Sequence, residues 1–543
     1  SYSRIGIEPA RQVAKKYLTR DRMARMIIEP IDEEERERLE AGASEADKEN
    51  EVAGEHRAKD DASRQLFDPE VLTPEAIASV TVTPDREDMN IFTMDNGLEV
   101  VILPHGSAPL VKVGLFVNGS NASAPQYGMD TFANALFRTG GTTNANPTED
   151  TLAVAGWANR SSSSATASGS SGNLDTLLYK LRWHVEDYDW TMAKKAPKIR
   201  SWRNAAKGDG NEPETWANRL GAERLFPDHV YGKWMRPSDY DVMEDWGLAD
   251  VKNWVYTKWQ PANAQLIIVG KIDAAEAEKM VREYWGSWSY KGEGTPGAQQ
   301  PPAAPTKQPD RQVLLFDKPI STQSKVRVSC QLKHDGLKDE ARTVVIGKIF
   351  TFLAFEKLRE EAGLTYGAYA FPRRYWGDST ELILASVIQN SGVGFGVENL
   401  LKIIESGANG DLKDDLITTN KWNVARTSVT GLQSGFQMMG AIADPGRGNL
   451  DYFEKYPEYL STVDKAGVQE ALSTCAGHEI VTVVGPVDAV EPQLKERNIP
   501  YEVVDWENLY MEQLSAKEQK GYLKAKAKAE AEAAAKRKEE SAG

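Results

Sequence analysis

A short closing unit occurs three times along the chain, and it constrains the fold more than any other feature. Each copy has a helical pattern, then an apolar strand, then a turn that contains an aspartate. The copies cover residues 7–32, 244–274 and 463–489, and their aspartates lie about 240 and 215 residues apart. A long and nearly constant period of this kind indicates duplicated domains.

The first copy has no domain body in front of it. A lone helix and strand cannot bury an apolar face by themselves. We therefore predict that residues 1–32 are the tail of an upstream homologous domain, which belongs to a longer precursor or to another polypeptide. Residues 7–32 should complete a domain of that N-terminal partner.

The amino-acid composition along the chain predicts the remaining domain boundaries. Residues 32–62 are crowded with charged side chains and poor in large apolar ones, which is typical of a solvated linker. Five prolines between residues 291 and 310 exclude a helix or a central strand there. After residue 512 the chain has helix formers without an apolar stripe, which predicts a solvated helix. The predicted segments are the tail 1–32, a charged linker 33–86, a first α+β domain 87–290, a proline-rich linker 291–310, a second α+β domain 311–505 and a charged helical tail 506–543.

Bulk properties exclude several classes of partner. The net charge of −15 and the pI near 5.2 argue against binding to nucleic acid or to an anionic membrane surface, so a protein or peptide partner is favoured. No apolar run reaches the length of about 18 residues that a transmembrane segment needs. Cys330 and Cys475 lie far apart in the sequence and form no Cys-Xaa-Xaa-Cys motif. We expect both to be buried thiols, and the redox compartment stays open.

The stretch from Phe355 to Tyr369 predicts a helix, a turn and a strand. Strong helix formers end at Gly363, which suits a C-terminal cap, and residues that favour strands follow. Arg359 and Tyr366 would then flank one turn, so that both polar groups could meet the same object. From spacing alone the pair is structural, because an arginine favours a helix C-terminus and a strand tyrosine is usually half-buried.

Two other patterns are weak. The glycine-rich run 389–396 lacks the Lys-Ser/Thr ending of a phosphate loop, so a strand-to-helix turn explains it better. The serine-rich run 161–171 predicts an edge strand and a loop, and no histidine and aspartate accompany it at a spacing that suits a serine nucleophile. The histidines are scattered, and His229 is expected to be structural.

Four motifs resemble the pitrilysin, insulin-degrading enzyme and mitochondrial processing peptidase family, the inverzincins with a His-Xaa-Xaa-Glu-His zinc motif. They are Asp95 to Pro104, Gly128 to Thr142, the Phe-Pro-Asp-His box at 226–232, and Leu358 to Tyr366. The resemblance covers most of residues 89–505 and the orphan tail. It implies an α+β fold of two homologous α/β sandwich domains of the clamshell metallopeptidase type, preceded by the helix-strand tail of another domain. In this family two such halves close on a peptide.

The zinc motif is degenerate in this chain. At the positions of the two histidines the sequence has Thr131 and Ala135, and at the position of the general-base glutamate it has Asn134. None of these side chains can replace a zinc ligand or take a proton from zinc-bound water. There is also no carboxylate between Asp189 and Asp209, where the distal acidic ligand is expected. We predict no metal or other cofactor in this chain and a zinc ion in its partner.

Arg359 and Tyr366, by contrast, match the pair that contacts substrate in the family. The resemblance therefore implies that this chain is the non-zinc half of a clamshell zinc metalloendopeptidase and is inactive alone. Its expected partners are a zinc-bearing homologous N-terminal half or companion chain and a peptide or unfolded protein. The alternative is a catalytically inert structural or peptide-binding subunit of a larger complex, which the core proteins of respiratory complexes resemble. A bacterial periplasm or cell envelope is favoured over a mitochondrion only by the orphan tail.

Overall fold

The computed structural model describes residues 15–16, 86–133, 155–158, 162–186, 195–333, 336–377, 379–431, 435–443 and 451–540. Lys15 and Lys16 are helical, and the rest of the predicted tail 1–32 lies outside the described residues, as does the linker 33–86 up to residue 85. All elements named below belong to one compact unit of the chain.

The first domain is built on a six-stranded mixed sheet in the order β1-β2-β6-β3-β5-β4. Its strands are β1 (Asn90–Thr93), β2 (Glu99–Pro104), β3 (Leu110–Asn118), β4 (Ala155–Ala158), β5 (Ser162–Ser170) and β6 (Ala264–Gly270). Its helices are α1 (Leu174–Glu186), α2 (Lys195–Asp209), α3 (Pro213–Leu225), α4 (Asp239–Asp245), α5 (Leu248–Lys258) and α6 (Ala274–Trp285).

The second domain is built on another six-stranded sheet, in the order β12-β7-β11-β8-β10-β9. Its strands are β7 (Gln312–Asp317), β8 (Gln323–Leu332), β9 (Ala368–Arg374), β10 (Thr380–Gln389), β11 (Ile480–Gly485) and β12 (Glu502–Val504). The helices are α7 (Gly336–Phe355), α8 (Val393–Asn409), α9 (Asp414–Gly431), α10 (Gly435–Ala443), α11 (Asp451–Ser461), α12 (Lys465–Leu472), α13 (Val487–Glu496), α14 (Trp506–Met511) and α15 (Ala516–Glu540).

The two sheets repeat one topology. In each, an early strand pairs in parallel with the last long strand (β2 with β6, β7 with β11), and that strand pairs antiparallel with the next (β3 or β8). Only one edge differs, because β1 is antiparallel to β2 whereas β12 is parallel to β7. The predicted α+β fold of two homologous domains is confirmed, and the closing units end on the corresponding strands β6 and β11.

One helix of each domain packs against the sheet of the other domain. Helix α3 of the first domain packs on β11 and β7, while α10 of the second domain packs on β6 and β3. Met439 of α10 fits against Gly114, where a side chain would clash with its sulfur. The domains are therefore held by shared cores, and residues 291–310 join them as an extended segment without helix or strand.

Three expectations from the sequence need correction. Cys330 and Cys475 are not free thiols but form a disulfide, with their Cα atoms 5.0 Å apart. The serine-rich strand β5 is not an edge strand, because it pairs with both β3 and β4. The tail helix α15 is not fully solvated, because the ring of Tyr522 packs edge-on against Tyr510 of α14.

Candidate functional site

Arg359 lies in a helix end that is wider than the sequence predicts. After α7 the backbone continues as one π-helical turn, Glu356–Glu361. Gly363 then adopts a left-handed conformation with φ of +62°, and the amide of Leu364 donates to the carbonyl of Leu358 at 2.8 Å. The predicted helix, turn and strand are confirmed, and the π turn is new. Single π turns are frequent at functional sites.

The guanidinium of Arg359 ties the two ends of the turn together. Its Nη1 donates to the main-chain carbonyl of Tyr366 at 2.5 Å, and the group lies 5.0 Å from the ring centre of Phe355. Its Nε is 3.6 Å from the carboxylate of Glu360. A guanidinium has five N–H donors and this side chain is almost half exposed, so it keeps donors for a ligand while it holds the turn.

The side chain of Tyr366 is exposed to solvent and is not packed against the protein. It is 86% exposed, which contradicts the half-buried environment that a structural strand tyrosine would have. Its backbone is nevertheless fixed. The Thr365 hydroxyl accepts from the amide of Gly367 and lies 2.7 Å from the carbonyl of Val387, and the amide of Gln389 donates to the carbonyl of Leu364. The turn thus holds an exposed phenol on an anchored main chain.

Tyr366 stands at the edge of a cleft between the two domains. The cleft has a volume of about 470 Å³ and lies between α3 and the strands β8, β10 and β11. Tyr369, 63% exposed, lines the same cleft. The structure therefore brings together a candidate hydrogen-bonding pair and a concave surface beside it.

One ion-pair cluster joins α3 to this sheet. The carboxylate of Glu214 accepts from Lys318 at 2.6 Å and from Lys325 at 3.0 Å. Burial raises the pKa of Glu214, but the two lysines outweigh it and lower the pKa to about 2. The carboxylate is therefore charged over the whole physiological range and helps to keep the cleft closed on one side.

This cluster predicts an acid-dependent loss of stability. A carboxyl whose pKa is lowered by folding contributes stability above its unfolded pKa, and that contribution disappears as the pH falls towards the folded value of about 2. Glu214→Gln should lower the free energy of unfolding at pH 7 by about 1 kcal/mol. Denaturant unfolding from pH 7 to pH 2.5 should show the two proteins converging on acidification; a constant difference would contradict the assignment.

Of the degenerate zinc motif, the structure describes Thr131 and its contacts with Asn121. Thr131 exchanges hydrogen bonds with Asn121, whose amide donates to the threonine hydroxyl at 2.7 Å. Asn134 and Ala135 lie outside the described residues. In the described part of the chain, no group of three histidine, cysteine, aspartate or glutamate side chains is arranged to hold a metal ion.

Next to Thr131 lies a buried ion pair that the sequence did not predict. The ammonium of Lys258 lies 2.5 Å from the carboxylate of Asp130 and also donates to Ser163, and the indole of Trp254 donates to the same carboxylate at 3.0 Å. Both charged side chains are almost completely buried. Burial lowers the pKa of Lys258, against the opposing effect of Asp130. The cluster is closed to solvent, which suits a structural role.

The remaining patterns are structural. His229 accepts from the amide of Tyr231, so its Nε2 carries the proton that it donates to the carbonyl of Ala303 at 2.8 Å, in the proline-rich segment. The glycine-rich run becomes the start of α8, where the amide of Gly394 donates to the side chain of Gln493. Among the described helices, none has the length and hydropathy to span a membrane.

Residues 245–424 match the family described as the peptidase M16 inactive domain. No curated protein sequence matches the chain. Among solved structures, the chain is similar to the peptidase M16 inactive domain from Pseudomonas fluorescens, with 15% identity, a TM-score of 0.62, and coverage of 73% of this chain and 98% of that one.

Two further similar structures are a longer protein and one chain of a larger complex. The chain is similar to the periplasmic protease PqqL from Escherichia coli, with 13% identity, a TM-score of 0.57, and coverage of 78% of this chain and 51% of that one. It is also similar to a chain of complex III2 from Candida albicans, with 14% identity, a TM-score of 0.56, and coverage of 76% and 99%. The fold is thus that of the clamshell metallopeptidases, and the resemblance to the pitrilysin, insulin-degrading enzyme and mitochondrial processing peptidase family is confirmed as a likeness to the inactive M16 domain.

Proposed function

We propose that this chain is the non-zinc half of a clamshell zinc metalloendopeptidase. It would form one wall of the chamber and present Arg359 and Tyr366 to a peptide whose scissile bond lies at a zinc ion in a homologous partner. The observation that carries the proposal is the exposure of Tyr366 on an anchored backbone, since a residue kept for packing would be covered.

The chemistry of the pair suits a peptide carbonyl. As water attacks that carbon, negative charge develops on the carbonyl oxygen, and donors fixed in advance stabilise it. The phenol of Tyr366 offers one O–H donor and the guanidinium of Arg359 offers its remaining N–H donors. Because Arg359 also holds the main chain of Tyr366, both donors belong to one rigid turn.

The disulfide supports an oxidising compartment for this assembly. Disulfides persist in the bacterial periplasm and outside cells and are rare in reducing compartments. Cys330 and Cys475 are both fully buried and lie in the second domain, on β8 and just after α12. A bacterial periplasm or cell envelope is therefore the compartment that we propose.

The proposal predicts that the isolated chain binds no stoichiometric zinc and cleaves no peptide. Both follow from Thr131, Asn134 and Ala135, which cannot ligate zinc or act as a general base. Native mass spectrometry after dialysis against zinc gives the metal content, and a quenched fluorescent peptide pool gives the activity. The chain should restore cleavage only when mixed with a homologous chain that carries an intact zinc motif.

Two results would decide against the proposal. One tightly held zinc ion per isolated chain, lost together with activity on chelation, would mean that this chain has its own catalytic centre. A stable assembly with a zinc-bearing partner that cleaves peptides equally well without this chain would make it an inert structural subunit, which is the alternative function.

A further inference from the structure

Helix α3 covers only half of one face of the second sheet. On this face the apolar residues Leu314, Phe316, Ile480 and Val484 of β7 and β11 are buried together with side chains of α3. The opposite face is buried under the helices of the second domain. On the sheet face that carries α3, the half formed by β8, β10 and β9 is not covered by this helix. The cleft beside Tyr366 lies along that half.

Three polar side chains of the cleft, Lys325, Arg327 and Ser386, already have partners. Lys325 binds Glu214, and Arg327 binds Glu381 at 2.5 Å and also contacts Asn218 and Ser329. The Ser386 hydroxyl donates to the turn at Thr365 and Gly367. The charges of Lys325 and Arg327 are already balanced by Glu214 and Glu381, so a charged ligand would gain little net free energy here.

Between these side chains the cleft has an apolar surface. Ala385 and Val387 form the floor on β10, and the ring of Tyr369 stands beside them on β9 in register with Ala385. Ala217 of α3 and Val484 of β11 line the side of the cleft that is next to this helix. Val387 is 42% exposed although it is apolar and lies in a central strand, so the surface has an unburied apolar floor.

Strand addition is not available at the nearby edge of the sheet. Strand β9 is the edge strand, but α7 lies against it, and the Thr351 hydroxyl accepts from the amide of Ala370 and lies 2.9 Å from its carbonyl. Gly347 of α7 brings the helix close to Pro372 and Phe371. A peptide on this face must therefore be bound through its side chains.

We propose that the cleft binds one apolar or aromatic side chain of an extended peptide whose carbonyl is held by Arg359 and Tyr366. The proposal rests on the proposed function, since it assigns the substrate a preference at that same site. A volume of about 470 Å³ falls in the range of about 300 to 1,000 Å³ that ligand pockets occupy. Continuity with the exposed ring of Tyr366 supplies the route from the peptide backbone into the cleft.

The test compares two peptides on the isolated chain. Both carry a dye on a flexible glycine-serine spacer and have the sequence Ser-Thr-Xaa-Thr-Ser, with phenylalanine or alanine as the central residue. Burial of the aromatic ring should make the phenylalanine peptide bind about tenfold more tightly by fluorescence anisotropy. Val387→Asn should reduce this preference to less than about twofold.

Val503→Asn is the matched control. Val503 is also a strand valine of the second sheet and is 46% exposed, but it lies on β12 at the opposite edge. It should keep the preference for phenylalanine. Equal binding of the two peptides to the unaltered chain, or an unchanged preference in Val387→Asn, would overturn the proposal.

Arg359→Ala separates this inference from the proposed function. If both hold, the variant weakens both peptides and leaves their ratio unchanged, because Arg359 contacts the peptide backbone and does not line the cleft. Suppose that the phenylalanine preference depends on Val387 but that Arg359→Ala does not change the turnover of the assembly. This result would support binding in the cleft and reject the proposed function. Suppose instead that Arg359→Ala lowers turnover but that the unaltered chain shows no phenylalanine preference. This result would support the proposed function and reject side-chain binding in the cleft.

Discussion

Tyr366→Phe should lower kcat of the assembly with a zinc-bearing half on the order of a hundredfold to a thousandfold, or about 3 to 4 kcal/mol, and leave its unfolding midpoint unchanged. Tyr366 is 86% exposed and the substitution removes only its hydroxyl group, so no packing is lost. Its hydroxyl would act on the charge that develops during attack on the peptide. A steady-state assay and thermal unfolding, measured on the same preparation, check both parts.

Arg359→Ala should show an equal or larger loss of turnover. It removes a donor to the substrate and also the hydrogen bond that fixes the carbonyl of Tyr366. Lys357→Ala is the matched control, because Lys357 lies in the same π turn, is similarly exposed and pairs only with Glu361 among the described contacts. Unchanged turnover in Tyr366→Phe and Arg359→Ala would reduce the turn to a structural role.

The sequence predicts this turn well because the interactions that form it are local. Helix formers up to Glu361, a glycine at the position that needs a positive φ, and β-formers after it specify the path of the chain within fifteen residues. The repeat likewise predicts two similar domains, since each closing unit carries its own helix and buried strand.

Features that join distant segments could not be predicted. The disulfide links cysteines 145 residues apart, and nothing in their spacing indicates that they meet. The cleft is formed by α3, β8, β10 and β11, which come together only when the domains pack. The π turn lies in a helix whose composition is ordinary, so the sequence does not indicate it. The exposure of Tyr366, which supports the functional interpretation of this residue, is also a tertiary property.

The buried pair of Lys258 and Asp130 could not be predicted from the sequence for the same reason. A lysine near the end of an amphipathic helix is normally exposed. Here the ammonium is 128 residues away from the carboxylate that it neutralises, directly before Thr131. Lys258 supplies the positive charge beside Asp130, and Trp254 donates a hydrogen bond to the same carboxylate.

Lys258→Met should therefore lower the free energy of unfolding by about 3 to 5 kcal/mol, because it leaves a buried carboxylate without a counter-charge. The double variant with Asp130→Asn should recover most of this loss, since asparagine is neutral and can still accept from Trp254. Lys333→Met, which breaks an exposed pair with Glu470, should leave the free energy of unfolding nearly unchanged. Denaturant unfolding of the four proteins gives the values.

A chelator distinguishes this account from one based on a hidden metal ion. If zinc stabilised the first domain, EDTA would lower the unfolding midpoint of the unaltered chain and would have less effect on Lys258→Met. If the ion pair stabilises it, EDTA leaves every midpoint unchanged and only the substitutions matter. A loss of less than about 1 kcal/mol in Lys258→Met would mean that the ion pair does not stabilise this domain.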